Sequence, residues 1–241
     1  MSLNRIDDPP LIGIIMLDTV FPRIPGDIGN PKTFPFPVLY NKVFGASSKR
    51  VVIEADAQLL QSFITAAQQL EKDGVKSITT SCGFLSIFQQ ELSNSVDIPV
   101  FSSSLIQAHL VNNIIRSDQK IGIVTAVRQS LTQKHLIGVD IERFPLVITG
   151  MDKSEEFRSV FVNGKDNIDM DQCRQELLIV VEELVNSDQN IGAIILECTN
   201  MSPFSAAIQN RVGLPVFDIV TLIDYIYSSL KKRGFCSQEM L

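Results

Sequence analysis

The absences in this chain exclude more than its composition offers. No apolar run approaches the roughly 20 residues of a membrane-spanning helix, so no membrane partner is expected. There is no basic stripe. Twenty-one Lys and Arg stand against 27 Asp and Glu, a formal net charge of −6, and nucleic acid is not an expected partner. The four cysteines, at 82, 173, 198 and 236, show no CxxC or other metal-ligand spacing, which argues against a metal and fits reduced thiols in a cytoplasmic protein. The N-terminus lacks the cationic segment and apolar core of a secretory signal. What is present is ordinary globular composition, 45% hydrophobic and 20% charged over 241 residues, enough for two lobes with a sizeable core.

The sequence repeats itself once. Residues 75–101, VKSITTSCGFLSIFQQELSNSVDIPVF, align without a gap to residues 191–217, IGAIILECTNMSPFSAAIQNRVGLPVF, at an offset of 116. Nine of the 27 positions are identical, among them Cys82/Cys198, Ser86/Ser202, Phe88/Phe204 and the closing Pro-Val-Phe. A period of this length is the size of a small domain, not of a solenoid repeat. The expected fold is α/β: two pseudo-twofold-related lobes, each a mainly parallel sheet flanked by helices, with the active site in the cleft between them. Because both repeats end equivalently, the first lobe is assigned residues 1–103 plus 216–241 and the second 104–215, the last helix returning to the first lobe.

Each repeat begins with a short apolar, β-branched run, 75–80 and 191–196, which predicts a buried strand. Ser81-Cys82-Gly83 and Glu197-Cys198-Thr199-Asn200 break these runs, and helical spacing follows, with Pro203 suited to a first turn. Each cysteine therefore falls at a strand's carboxyl end before a helix N-terminus. Open α/β sheets bind ligands at that edge, and backbone N–H groups there stabilise thiolates and carboxylates. The runs 11–17 and 120–126 predict matching first strands, Ile12-Gly13-Ile14-Ile15 against Ile121-Gly122-Ile123-Val124, which place Asp18, Thr19 and Thr125 at the same edge.

Helices are predicted over 56–73, 104–116, 128–137, 171–186 and 221–232, and strands over 38–44 and 144–149, while 154–167 has no clear period. His109 shares a polar stripe with Asn112, Asn113 and Arg116 and reads as solvated. His135, beside Lys134, reads as exposed. Cys173 reads as a core residue and Cys236 as part of a polar tail. Residues 20–37 carry five prolines and two glycines, a density that no helix survives. A long irregular segment of this kind is a lid over the cleft or a loop that packs on a partner subunit in a homo-oligomer. Arg23 within it is a candidate cation for a substrate carboxylate, or else a solvated side chain.

Facing cysteines suit one compact reaction, in which a thiolate takes an α-proton from one face of a carbon and a thiol returns a proton to the other. No cofactor is then required, provided that donors around the substrate carboxylate stabilise the carbanion; Gly83, Thr199 and Asn200 are placed to supply them. The alternatives are two buried structural cysteines, or a non-catalytic two-lobed module that binds a small carboxylate.

The paired strand–Cys–helix units, the LECTNM segment and the Asp18-Thr19 pair after the first strand resemble the aspartate/glutamate racemase superfamily over nearly the whole chain. Hydantoin racemases, maleate cis–trans isomerases and arylmalonate decarboxylases belong to it as well. The resemblance implies a cofactor-independent isomerase, a racemase or epimerase of a small chiral carboxylate (amino acid or hydantoin-like). Cys82 and Cys198 would be its acid/base pair, Asp18 and Thr19 would contact substrate, and Ser81, Gly83, Thr125, Thr199 and Asn200 would line the carboxylate pocket. A maleate-type isomerase or a related decarboxylase is the alternative within the superfamily. The chain has Gly83-Phe84 where amino-acid racemases commonly have Asn-Thr, and Asn200 where they often have His or Glu. Gly-Phe is nearer the hydantoin racemases and the decarboxylases, although the decarboxylases keep only the second cysteine.

Overall fold

The computed structural model describes residues 9–232. Strands β1 (Ile12–Leu17), β2 (Val38–Val43), β3 (Ser77–Thr80) and β4 (Val100–Phe101) form a sheet in the order β2-β1-β3-β4. Strands β5 (Lys120–Thr125), β6 (Leu146–Gly150), β7 (Ile191–Leu196) and β8 (Val216–Phe217) repeat it as β6-β5-β7-β8. Every one of these pairings is parallel. The repeat in the sequence is thus a repeat in topology, and the expected pair of parallel α/β lobes is what forms. β1 and β5 lie inside their sheets with both faces covered, which is why they read as continuous apolar runs without alternation.

Local chemistry fixes the helix ends. The Asp56 carboxylate accepts the N–H of Gln58 at the turn that opens α1 (Leu60–Lys72). Gly74, at φ +96, closes it in a conformation that side chains resist. The inner face of α1 buries Phe63, Ala66, Ala67 and Leu70. After each cysteine the chain enters a 3-10 turn, 83–88 or 199–204, before α2 (Gln89–Ser93) or α7 (Ser205–Val212). The helix expected over 104–116 also opens as a 3-10 turn and becomes α3 (Ala108–Ile114).

Four expectations change. The helix predicted over 128–137 is only α4 (Gln133–Gly138). His135 on it is 1% exposed, because its Nδ1 completes a capping box with Thr132 and the ring packs edge-on to Phe84 at 5.2 Å. His109 is half-buried, its Nε2 2.8 Å from the Val139 carbonyl oxygen and its ring against Phe144. Residues 154–167, without a clear period, contain α5 (Glu155–Phe161). Its first N–H groups, those of Glu156 and Phe157, donate to the Glu176 carboxylate on α6 (Met170–Ser187), a partner that lies too far along the chain to leave a local signal. Cys173 on α6 is fully buried among Leu177, Val181 and Leu184.

Helix α8 (Ile219–Leu230) lays Ile219, Leu222, Ile223 and Tyr227 on Ile12, Ile14 and Phe101 of the first sheet. The proline-rich stretch has no helix or strand before β2 and divides into two parts. Phe34 and Phe36 join the α8 core, Phe36 stacking on Tyr227 at 3.6 Å. The part from Phe21 to Gly29 faces the other lobe: Phe21 meets Phe161 edge-on at 5.1 Å, and Gly26 lies against Pro203. Among the described residues no helix is long and apolar enough to cross a membrane. Cys236 and the polar tail lie outside the described residues.

Candidate active site

Cys82 follows β3 and Cys198 follows β7, and both line one cavity between the sheets. Cys82 is nearly covered, whereas Cys198 is partly open. Burial is the main effect on both thiols; the Glu197 charge adds to it, and the backbone N–H two residues on, of Phe84 or Asn200, works against it. Cys82 is pushed up to about 12, with Arg23 opposing the rise, and Cys198 well above its ordinary value, with Cys82 and Asp27 adding to the rise. Burial and the Glu197 charge therefore favour the neutral form of both thiols.

Their surroundings differ, despite the repeat. Two residues after Cys198, the Asn200 amide donates through Nδ2 to Asp27 Oδ2 at 2.7 Å, and its Oδ1 accepts from the Cys198 thiol at 3.6 Å. Asp27 is 1% exposed, and its Oδ1 accepts from Arg23 Nη1 at 3.0 Å and from the Gly29 N–H at 2.7 Å. Arg23 Nη2 in turn donates to Thr19 at 2.8 Å, and its guanidinium lies 4.4 Å from the centre of the Phe21 ring. A chain of fixed polar groups, Thr19–Arg23–Asp27–Asn200, thus ends at Cys198. The residue two after Cys82 is Phe84, which offers no polar side-chain group; its ring packs edge-on to His135 and lines the cavity. Two residues on, Cys198 thus has an amide held in a polar chain, where Cys82 has an aromatic ring.

Glu197 lies under the cavity, fully buried. Its Oε2 accepts from the Thr125 hydroxyl at 2.7 Å and the carboxylate from the Ala126 N–H, while Oε1 has no partner among the described residues. Burial raises it to about 7 against those two hydrogen bonds. Its repeat-mate, Ser81, accepts the Leu17 N–H at 2.9 Å. Gly83 leaves the room that Glu197 needs: a Cβ there would overlap the Glu197 carbonyl oxygen and Oε1. The Thr199 hydroxyl donates to the Ser81 carbonyl oxygen at 2.7 Å, tying the lobes together beside the thiols.

Of the residues singled out in the sequence, Thr19, Arg23, Ser81, Cys82, Gly83, Cys198, Thr199 and Asn200 share this cavity. Asp18 does not line it; its carboxylate turns to the Gly45 N–H at 3.0 Å and Lys42 at 3.6 Å. Thr125 is fully buried behind Glu197 and reaches the cavity only through that carboxylate. Glu197, Asp27, Phe21 and Phe161 were not singled out. Glu197 carried a readable signal, a carboxyl in one repeat where the other has a hydroxyl; Asp27 carried none. Among the described residues no group of three or more His, Cys, Asp or Glu is arranged to hold a metal ion.

No protein-family model matches the chain. It is 31% identical over 231 residues to a dimethylsulfoniopropionate lyase of Durusdinium sp. clade D, a match that covers 93% of this chain and 74% of that protein. The chain belongs to the dimethylsulfoniopropionate lyase family. Dimethylsulfoniopropionate lyase 6 of Emiliania huxleyi (strain CCMP1516) is 34% identical over 235 residues; the match covers 93% of this chain and spans 61% of that protein's length. Among solved structures, unliganded arylmalonate decarboxylase superposes with a TM-score of 0.59 at 12% identity, over 95% of this chain and 96% of that one. Glutamate racemase from Francisella tularensis subsp. tularensis SCHU S4 gives 0.56 at 18%, over 92% and 81%. Allantoin racemase from Pseudomonas fluorescens gives 0.57 at 13%, over 91% and 90%. The fold is that of the aspartate/glutamate racemase superfamily, as the resemblance implied. The racemase activity and the isomerase class inferred from that resemblance are corrected: the relatives that share a third of this sequence are named as lyases. The physical reason for the error is that two facing cysteines define a frame, while the chemistry depends on how equally that frame treats them.

Proposed function

We propose that the chain is a lyase that releases dimethylsulfide from dimethylsulfoniopropionate by β-elimination. Besides the family, the observation that carries this reading is the unequal surroundings of the two cysteines. The substrate bears a dimethylsulfonium group on the carbon β to a carboxylate. A base removes a proton from the α carbon, the C–H electron pair becomes the α,β double bond, and the C–S bond breaks with its pair leaving on sulfur. The products are acrylate and neutral dimethylsulfide, and the proton passes from the base to water. The leaving group departs unprotonated, so a single base completes the reaction, whereas racemisation needs two.

Cys198 is that base. It is the thiol partly open to the cavity, and the Arg23–Asp27–Asn200 chain fixes its neighbourhood; reach is the first requirement of a base and acidity the second. Arg23 and Thr19 receive the carboxylate at the polar end. Phe84 and Phe161, together with the Glu197 carboxylate, surround the sulfonium, since aromatic rings attract onium cations. The bound cation favours the thiolate and so offsets the burial that keeps Cys198 neutral. In the test, folded protein is incubated with dimethylsulfoniopropionate, with dimethylsulfide followed in the headspace by gas chromatography and acrylate by NMR. Equal amounts of the two products are expected, and their absence overturns the reading.

A further inference from the structure

We infer that Glu197 makes ionisation of the Cys198 thiol conditional on a bound cation, by placing beneath the cavity a buried carboxyl with one oxygen unmatched among the described residues. The repeat supplies the internal control. At the matching place in the first lobe the fold requires one acceptor, for the Leu17 N–H, and the Ser81 hydroxyl provides it. In the second lobe the equivalent N–H, of Ala126, is met by a carboxylate instead. That carboxylate is fully buried, and its Oε1 has no partner among the described residues. A buried carboxyl with an idle oxygen destabilises the fold relative to a hydroxyl that does the same structural work. Its use lies in its charge.

The charged and titratable groups around it are Cys82 and Cys198 on the cavity wall and, on the proline-rich loop, Arg23 and Asp27. The Arg23 charge is answered by Asp27, to which it donates. Once ionised, above about pH 7, Glu197 therefore adds to burial in keeping the thiols protonated. A sulfonium, or any onium group of that size, placed beside Phe84 and Phe161 compensates Glu197 and releases that hold. The base is then formed only when substrate is present, and an idle enzyme carries no thiolate open to oxidation or alkylation. The identity of the cation rests on the lyase reading; the coupling of Glu197 to the thiol does not.

The test reads Cys198 directly. Alkylation by iodoacetamide is followed against pH, with modification of Cys198 quantified by peptide mass spectrometry, in the wild type, in Glu197→Gln and in Glu197→Ser, the residue the repeat uses. Both variants are expected to move the alkylation midpoint down by about 1–3 pH units, the size of shift that a single nearby charge of opposite sign produces, removal of a like charge acting in the same sense. Adding 3-(trimethylammonio)propionate, an onium zwitterion with no C–S bond to break, is expected to lower the wild-type midpoint and to leave the variants nearly unmoved. Coincident midpoints in wild type and variants overturn the inference, as does loss of the folded circular dichroism spectrum in both variants, which would make the carboxyl structural. Dimethylsulfide release by the wild type is scored separately. Its absence would sink the lyase reading, while the ligand-free alkylation comparison would still decide the role of Glu197.

Discussion

Replacing Asp27 with alanine removes the centre of the polar chain that ends at Cys198. Three donors lose their acceptor: Asn200 Nδ2, the Gly29 N–H and Arg23 Nη1. Each stranded buried donor costs about 1–3 kcal/mol. Breaking a buried ion pair costs about 3–5 kcal/mol, but Arg23 is 17% exposed and keeps its bond to Thr19, so water and Thr19 recover part of that. A net loss of about 3–4 kcal/mol follows, which for a chain of this size lowers Tm by about 6–16 °C. The assay is thermal unfolding followed by circular dichroism, repeated for Asn200→Ala and for the double variant. The pair should be coupled, the double variant losing less than the sum of the singles by about 1 kcal/mol or more. A fall of under about 2 °C for Asp27→Ala, or simple additivity, would refute the idea that the loop fixes Asn200 through this carboxylate.

The two cysteines should separate under substitution. Cys198→Ser should cut dimethylsulfide release about 10²–10⁴-fold, and Cys82→Ser should cut it far less; equal losses would return the site to a two-base scheme. The pH dependence of stability should carry the mark of Glu197. In the folded chain it holds its proton up to about pH 7, against an ordinary value of 4.5. Between those limits the folded form binds a proton that the unfolded form has released, so stability falls as pH rises through that window, by on the order of 3 kcal/mol. Urea midpoints at pH 5 and pH 8 should show a smaller fall in Glu197→Gln than in the wild type. Gly83→Ala should lower both Tm and activity, because the added methyl meets the Glu197 main chain and carboxyl; overpacking of this kind costs about 1–3 kcal/mol. A variant with wild-type Tm would show that the lobes separate easily there.

The repeat made the frame legible. Its two strand–Cys–helix units lie in two sheets of the same strand order, and both cysteines line the cavity between them. Proline density correctly marked 20–37 as irregular, because a missing N–H and a fixed φ are local properties. What depended on distant partners was not legible. Asp27 meets Asn200 across 173 positions of sequence. His135 looked exposed beside Lys134, but its burial comes from the Thr132 cap and from Phe84 in the other lobe. The start of α5 depends on Glu176, and the helical period over 154–167 was too short to carry it alone.

The activity class was misread for a related reason. Identity between the repeats, concentrated at Cys82/Cys198 and at Pro-Val-Phe, reports what the two lobes share, and what they share is the frame. The positions where the mates differ report the chemistry: Ser81 against Glu197, Gly83 against Thr199, Phe84 against Asn200. Racemisation interconverts mirror-image substrates and calls for similar acid/base surroundings on the two faces. Elimination of a sulfonium does not, because the substrate is itself polar at one end and cationic at the other, and only one proton moves. On the proposed function, the Arg23–Asp27–Asn200 chain and the buried Glu197 would serve the two ends of such a substrate. In a duplicated scaffold, the differences between mates at the ligand edge therefore discriminate reaction class better than the conserved pair does.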